Sequence, residues 1–127
     1  MARKVKRIRV LIADDHSLFA QALEAILGTD KRFETVGLAK DGLQAVDLAV
    51  SLRPDVVLMD ISMPVLDGFA ATKEIMARVP ATAVLMLTGS NARGDVNKAR
   101  SAGAAGYITK DRIAADLIDA ILEAVSR

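Results

Sequence analysis

The stretch VVLMDISMPVLDG, Val56 to Gly68, runs an apolar segment straight into an acid. Val56 to Met59 suit a strand covered on both faces, yet the run ends on Asp60. A short linker holding Pro64 follows, then Asp67 and Gly68. Such a strand is either a rigid mount for a reactive carboxylate or the approach to a turn. A lone acid at a strand end is more often the turn former. The rest of the chain has to decide between them.

Outward from this segment the chain alternates between strand and helix patterns. Ile8–Ala13, Phe33–Ala39, Val56–Asp60, AVLMLT ending at Thr88, and GYIT ending at Thr109 read as strands. Between and after them lie helical patterns. The first is Ser17–Gly28, with Ser17 as N-cap, Gly28 as stop and Leu18, Ala22, Ala25 and Ile26 on one face. The second begins near Asp41 and halts before Pro54, and the third, from Asp67, is closed by Pro80. A weak helix spans Asn91–Ala102 and the last Ile113–Val125. Five strand-then-helix units imply an α/β fold with a single five-stranded parallel sheet and five helices on both faces.

Composition narrows the class. The chain has 127 residues, enough for one domain with its own core; 52% are hydrophobic, but only 3% are aromatic, so the core is aliphatic. The formal net charge of +1 speaks for neither a nucleic-acid nor a membrane partner. With no cysteine, disulfides, thiolate metal sites and cysteine nucleophiles are excluded. No apolar run nears the roughly 18 residues of a membrane span, and the basic start has no signal-peptide core, so a cytoplasmic location is expected. The basic residues Arg3, Lys4, Lys6, Arg7 and Arg9 read as a solvated lead-in.

In a parallel sheet every strand's C-terminal end lies along one rim, where ligands of such folds collect. Asp14 and Asp15 follow the first strand, Asp60 ends the third, Thr88 the fourth, and the fifth leads to Lys110. Three carboxylates this close repel unless a cation intervenes. Magnesium suits such a set, since it binds through one or two carboxylates and keeps water and phosphate oxygens as further ligands. Lys110 adds a mobile point charge. Asp41 and Asp67 read instead as helix-start acids, Gly68 as a residue of backbone freedom, and His16, the single histidine, as solvent-facing or capping.

These residues, with RVLIADDH, RPDVVLMDI and AGAAGYITKD, resemble the receiver domain of a bacterial two-component response regulator, LuxR-type (NarL-like) branch, over roughly Arg7 to Arg127. The resemblance implies a flavodoxin-like receiver fold of strand order 2-1-3-4-5, with residues 1–127 as one phosphoacceptor domain. It implies that Asp60 takes a phosphoryl group from a sensor histidine kinase, aided by Thr88 and Lys110. It assigns magnesium to Asp15, Asp60 and the Ser62 main-chain carbonyl, with Asp14 acting through water, and makes Thr88 and Tyr107 the switch pair. The weak helix between them has a thin apolar face (Ala92, Val96, Ala99) and carries Gly94, which costs about 1 kcal/mol against alanine.

The output expected of this branch is transcription, through a C-terminal DNA-binding domain not present in these residues; the chain is then a free-standing receiver or one domain of a regulator. Lys110 precedes Asp111 where many receivers have proline, so no cis peptide is expected there. The last helix is apolar over a wide arc (Ala114, Leu117, Ile118, Ile121, Val125, bordered by Ile113 and Leu122), which admits a homodimer edge at Ile118 and Leu122. Two other classes stay open. An aspartate-nucleophile phosphatase would need a second acid where Ser62 stands. A receiver-like binding module independent of phosphate would lack part of the acid, lysine and hydroxyl set.

Overall fold

The structure, a computed structural model, describes residues 6–89 and 93–126. Five strands, β1 (Ile8–Ala13), β2 (Phe33–Ala39), β3 (Val56–Asp60), β4 (Ala83–Thr88) and β5 (Gly106–Thr109), form one parallel sheet. Their order is β2-β1-β3-β4-β5. Helices α1 (Ser17–Gly28), α2 (Gly42–Leu52), α3 (Gly68–Arg78), α4 (Arg93–Ala102) and α5 (Ile113–Val125) connect or follow the strands, and a 3-10 turn, Lys110–Arg112, precedes α5. Both the parallel sheet and its order match the expectation.

Period-two alternation divides the core. Val10, Ile12, Val56, Leu58, Leu85, Leu87 and Ile108 pack with α1 and α5. Their neighbours Leu11, Ala13, Val57, Met59, Val84 and Met86 pack with α2, α3 and Ala99 of α4. β3 is buried throughout, β1 from Val10 and β4 from Val84 onward, which is why these stretches are continuous apolar runs up to the sheet's C-terminal rim. Asp60 shares its parity with Val56 and Leu58, so its side chain leaves the sheet toward the α1 and α5 layer.

Helix ends follow local chemistry. Asp41 and Asp67 are N-caps, their carboxylates accepting from Gln44 N at 2.7 Å and Ala70 N at 2.9 Å. Each such cap stabilises its helix by about 1 kcal/mol. Helix α2 stops at Arg53 (φ 47°) because Pro54 bars the helical conformation from the residue before it. Its last carbonyls are satisfied from far along the chain. Arg9 Nη1 donates to Leu52 O (2.8 Å) and Arg53 O (3.0 Å), so Arg9 is a capping residue, not part of a solvated lead-in. Lys6 and Arg7 are exposed; Arg3 and Lys4 lie outside the described residues.

Several expectations need correction. The N-cap of α1 is His16, one residue before Ser17, and its C-cap is Thr29, just after Gly28. The buried face of α1 is Ala20, Leu23 and Leu27, whereas Leu18 is 82% exposed and Ala22 and Ala25 are also exposed. Only Ile26 of the expected face packs on the core. In α5 the wide arc is largely used internally: Ile113, Leu117 and Ile121 are buried, Ile118, Leu122 and Val125 are half-buried against the core, and Ala114 is exposed. In α4, Ala99 is buried, Val96 half-buried and Gly94 exposed; Ser90, Asn91 and Ala92 lie outside the described residues. No peptide bond among the described residues is cis, in keeping with the Lys110–Asp111 sequence.

Candidate functional site

The β1 and β3 ends bring the acids together. Asp14 directly follows β1, held by its N–H donating to Ala39 O of β2 at 2.9 Å. Asp14 and Asp60 are each 3% exposed, while Asp15 is exposed at the rim. Lys110, at the end of β5, brings its Nζ to 3.4 Å from Asp14 Oδ2 and 3.3 Å from Asp60 Oδ1. Both separations exceed the 2.7–2.9 Å of a tight charged hydrogen bond, so one ammonium is stretched between two acids. The Phe19 ring of α1 lies beneath it, its centroid 4.5 Å from Nζ, in a cation–π contact.

The charge balance is incomplete. Burial first, then the charge on Asp14, push the Asp60 carboxyl above its ordinary range, with Lys110 opposing them. Asp60 Oδ2 is buried and has no hydrogen-bond partner. Asp14, Asp15, His16 and Asp60 each offer one donor atom, all within 4.8 Å of one another. A buried, orphaned carboxylate oxygen facing further hard oxygen donors fits a divalent cation that retains water.

The β3–α3 loop holds this geometry. A three-residue γ-turn, with Leu66 N donating to Pro64 O at 2.7 Å, places Val65 at φ 70°, a rare and strained conformation for a β-branched residue. Gly68 N then donates to Ile61 O at 2.8 Å, seating α3 on the end of β3. A Cβ at Gly68 would collide with the Asp60 carbonyl and the Ile61 backbone, so close approach, not backbone freedom, requires glycine here. Gly42, at the start of α2, meets the Leu66 backbone of the same loop in the same way.

The other candidates sit nearby or apart. Thr88 is buried at the end of β4, in register with Thr109 of β5. Ser62 is exposed in the loop two residues beyond Asp60. Tyr107, in register with Met86, is 43% exposed and borders a groove of about 300 Å³ with Val96, Ala99 and Arg100 of α4. Ile118 and Leu122 belong to α5, not to the acidic rim. Phe19 escaped the sequence reading, and His16, expected to face solvent or to cap, is exposed at the N-cap position of α1 without a side-chain capping bond. Phe19 meets Lys110 only through the tertiary fold. His16 directs its ring into the acids, with Nδ1 3.2 Å from both Asp14 Oδ1 and Asp15 Oδ1.

Comparison with known proteins bears on this arrangement. Residues 10–122 match the family described as the response regulator receiver domain. The transcriptional regulatory protein DegU of Brevibacillus brevis is 38% identical over 115 residues, 91% of this chain and 49% of that protein. A protein-glutamate methylesterase/protein-glutamine glutaminase of Geobacter metallireducens is 43% identical over 118 residues, 91% of this chain and 32% of that protein. The chain thus spans about half or a third of the curated relatives it matches. Among solved structures, the signal receiver domain of the putative response regulator NarL from Mycobacterium tuberculosis superposes with a TM-score of 0.91 at 30% identity, covering 95% of this chain and 98% of that one. The receiver domain of a Pseudomonas aeruginosa sensor histidine kinase, with magnesium coordinated in its active-site cleft, gives 0.84 at 30% identity over 95% of this chain and 99% of that one. A doubly wound sheet of order 2-1-3-4-5, an acidic rim with one lysine, and these matches together make the chain a member of the response regulator receiver domain family, with LuxR-type regulators among its relatives.

Proposed function

We propose that Asp60 is the phosphoacceptor of this receiver. The observation that carries the reading is its buried carboxylate, with Oδ2 unpartnered, set beside Asp14 and sharing the Lys110 ammonium with it. An Asp60 oxygen attacks the phosphorus of a phosphohistidine on a sensor kinase; the P–O bond forms as the P–N bond breaks, and the electron pair leaves with the imidazole nitrogen. Charge spread over the transferring oxygens makes positioning and neutralisation the main catalytic work. Lys110, already between the two acids, turns to a phosphoryl oxygen as the acyl phosphate forms. The Thr88 hydroxyl donates to another.

Asp15, Asp60 and the Ser62 carbonyl are the residues that would hold magnesium directly, with Asp14 acting through water. When bound, the ion neutralises the acids and the incoming phosphoryl group. The exposed Tyr107 and its groove beside α4 support a switch in which Thr88 moves toward the phosphoryl group and Tyr107 turns inward, a shift between two existing arrangements. The half-buried Ile118 and Leu122 are the edge through which two copies would pair; sedimentation of Leu122→Asp with and without a phosphoryl mimic tests this, and unchanged mass throughout removes it.

The likenesses to DegU, a transcriptional regulatory protein, and to LuxR-family response regulators support a transcriptional output through a LuxR-type DNA-binding domain. The methylesterase relatives favour a second reading, in which the receiver governs an attached enzymatic domain. Membership of the receiver family supports a cytoplasmic site of action; no helix among the described residues is long and apolar enough to cross a membrane. Incubation with magnesium and a small acyl phosphate, followed by intact-mass measurement, tests the central reading. One phosphoryl adduct, lost in Asp60→Asn, is expected. Repeated turnover to free phosphate would instead indicate a phosphatase, and no adduct a phosphate-independent module.

A further inference from the structure

The single histidine is placed as no helix cap requires. His16 occupies the N-cap position of α1 in an extended conformation, but its side chain makes no capping hydrogen bond. Its main-chain N–H instead donates to Asp14 Oδ1 at 2.8 Å, pinning the loop so that the ring turns back over the acids. Nδ1 then stands 3.2 Å from Asp14 Oδ1, 3.2 Å from Asp15 Oδ1 and 3.9 Å from Asp60 Oδ2. Two cis ligands of an octahedral ion, each about 2.1 Å from it, are about 3.0 Å apart. His16 Nδ1 lies near that spacing from Asp15 Oδ1, an oxygen of a residue that would hold the ion directly. The buried, unpartnered Asp60 Oδ2 is 3.9 Å from Nδ1, close enough to share an ion with it.

We propose that His16 Nδ1 is an additional metal donor that biases this acidic site away from magnesium and toward divalent ions with affinity for imidazole, such as manganese, cobalt, nickel and zinc. Magnesium, a hard ion, gains little from a nitrogen donor, whereas first-row transition ions gain progressively along the series to copper. The side chain is 64% exposed, which leaves Nε2 open to water while Nδ1 faces inward. The inference rests on the metal reading above and adds selectivity to it. The opposite assignment makes His16 a built-in hydrogen-bond donor to the carboxylates, which any metal would have to displace.

The two assignments part cleanly in the untagged full chain. Binding of Mg²⁺, Mn²⁺, Ni²⁺ and Zn²⁺ is measured by calorimetry for the parent, His16→Ala and His16→Asn, with the fold of each checked by circular dichroism. Loss of the donor weakens Ni²⁺ and Zn²⁺ by about tenfold or more and changes Mg²⁺ by less than about twofold. Because His16 is the only histidine, nitrogen coupling in the electron-spin-echo spectrum of the Mn²⁺-loaded protein is present in the parent and absent from both variants. Tighter binding of all four ions in His16→Ala, equal losses for all four, or unchanged Ni²⁺ binding would each overturn the proposal. His16-dependent Ni²⁺ binding in a protein that forms no phosphoryl adduct would overturn the phosphoacceptor reading while upholding this one.

Discussion

Replacing Lys110 by methionine keeps most of its length but removes the ammonium from two buried acids and from the face of Phe19. Their side chains are 5% (Asp60) and 0% (Asp14) exposed, against 24% for Lys110. At 3.3–3.4 Å and an effective dielectric constant of 20, each attraction is about 5 kcal/mol; at 40, in keeping with a partly open rim, it is about half that. The change also spares the cost of desolvating the ammonium, and Asp60 can relieve part of the strain by taking a proton. A net loss of about 3 kcal/mol follows for the metal-free protein, within the range for orphaning a buried partner. For a chain of this length that lowers Tm by about 10 °C. Urea and thermal denaturation at neutral pH in chelator measure it. In an Asp60→Asn background the loss should fall to about half, since only Asp14 remains charged. A loss below about 0.5 kcal/mol, or one unchanged by Asp60→Asn, would refute the placement of the ammonium as the site's internal counter-charge.

Other outcomes follow from the same geometry. Because the Asp60 carboxyl is raised in the fold, the folded state holds its proton longer than the unfolded chain, so stability falls as pH climbs from the ordinary carboxylate range through that raised value. Asp60→Asn should therefore match the parent in acid and exceed it at neutral pH in chelator, as urea titration across pH would register. Saturating magnesium, at about 100 times its Kd, should stabilise the parent by about 2.7 kcal/mol and Asp60→Asn far less, read by thermal shift. Gly68→Ala must displace backbone at Asp60 and Ile61, and should cost about 2 kcal/mol or more along with metal affinity, measured by denaturation and calorimetry. Val65→Asn, which accepts positive φ more readily, should gain about 1 kcal/mol in urea denaturation with no loss of phosphoryl uptake.

The fold was legible wherever one face or one cap decided the matter. Continuous runs such as VVLM and AVLML can hardly serve a half-exposed sheet, and Asp41 and Asp67 mark helix starts by a bond made within three residues. The face of α1 was not legible. Leu18, Phe19, Ala20, Ala22, Leu23, Ala25, Ile26 and Leu27 are apolar almost all round, so periodicity alone could not fix the phase that the sheet selects. Arg9 capping α2 and Phe19 beneath Lys110 join residues distant in sequence, and no local pattern signals such pairs. Val65 carries a strand former's side chain into a turn conformation that only the neighbouring Pro64 and Leu66 impose. The rim acids were visible because α/β topology gathers strand ends; the ring of His16 was not, because its direction depends on a main-chain bond to Asp14.

The measurement closest to the central claim locates the phosphoryl group itself. After exposure to magnesium and a small acyl phosphate, borohydride reduction converts an acyl phosphate to homoserine, and peptide mapping by tandem mass spectrometry identifies the altered residue. Conversion at Asp60 alone, with Asp14, Asp15 and Asp67 intact, is the expected result. Conversion at another acid, or none at Asp60 in a folded, magnesium-loaded chain, would contradict it.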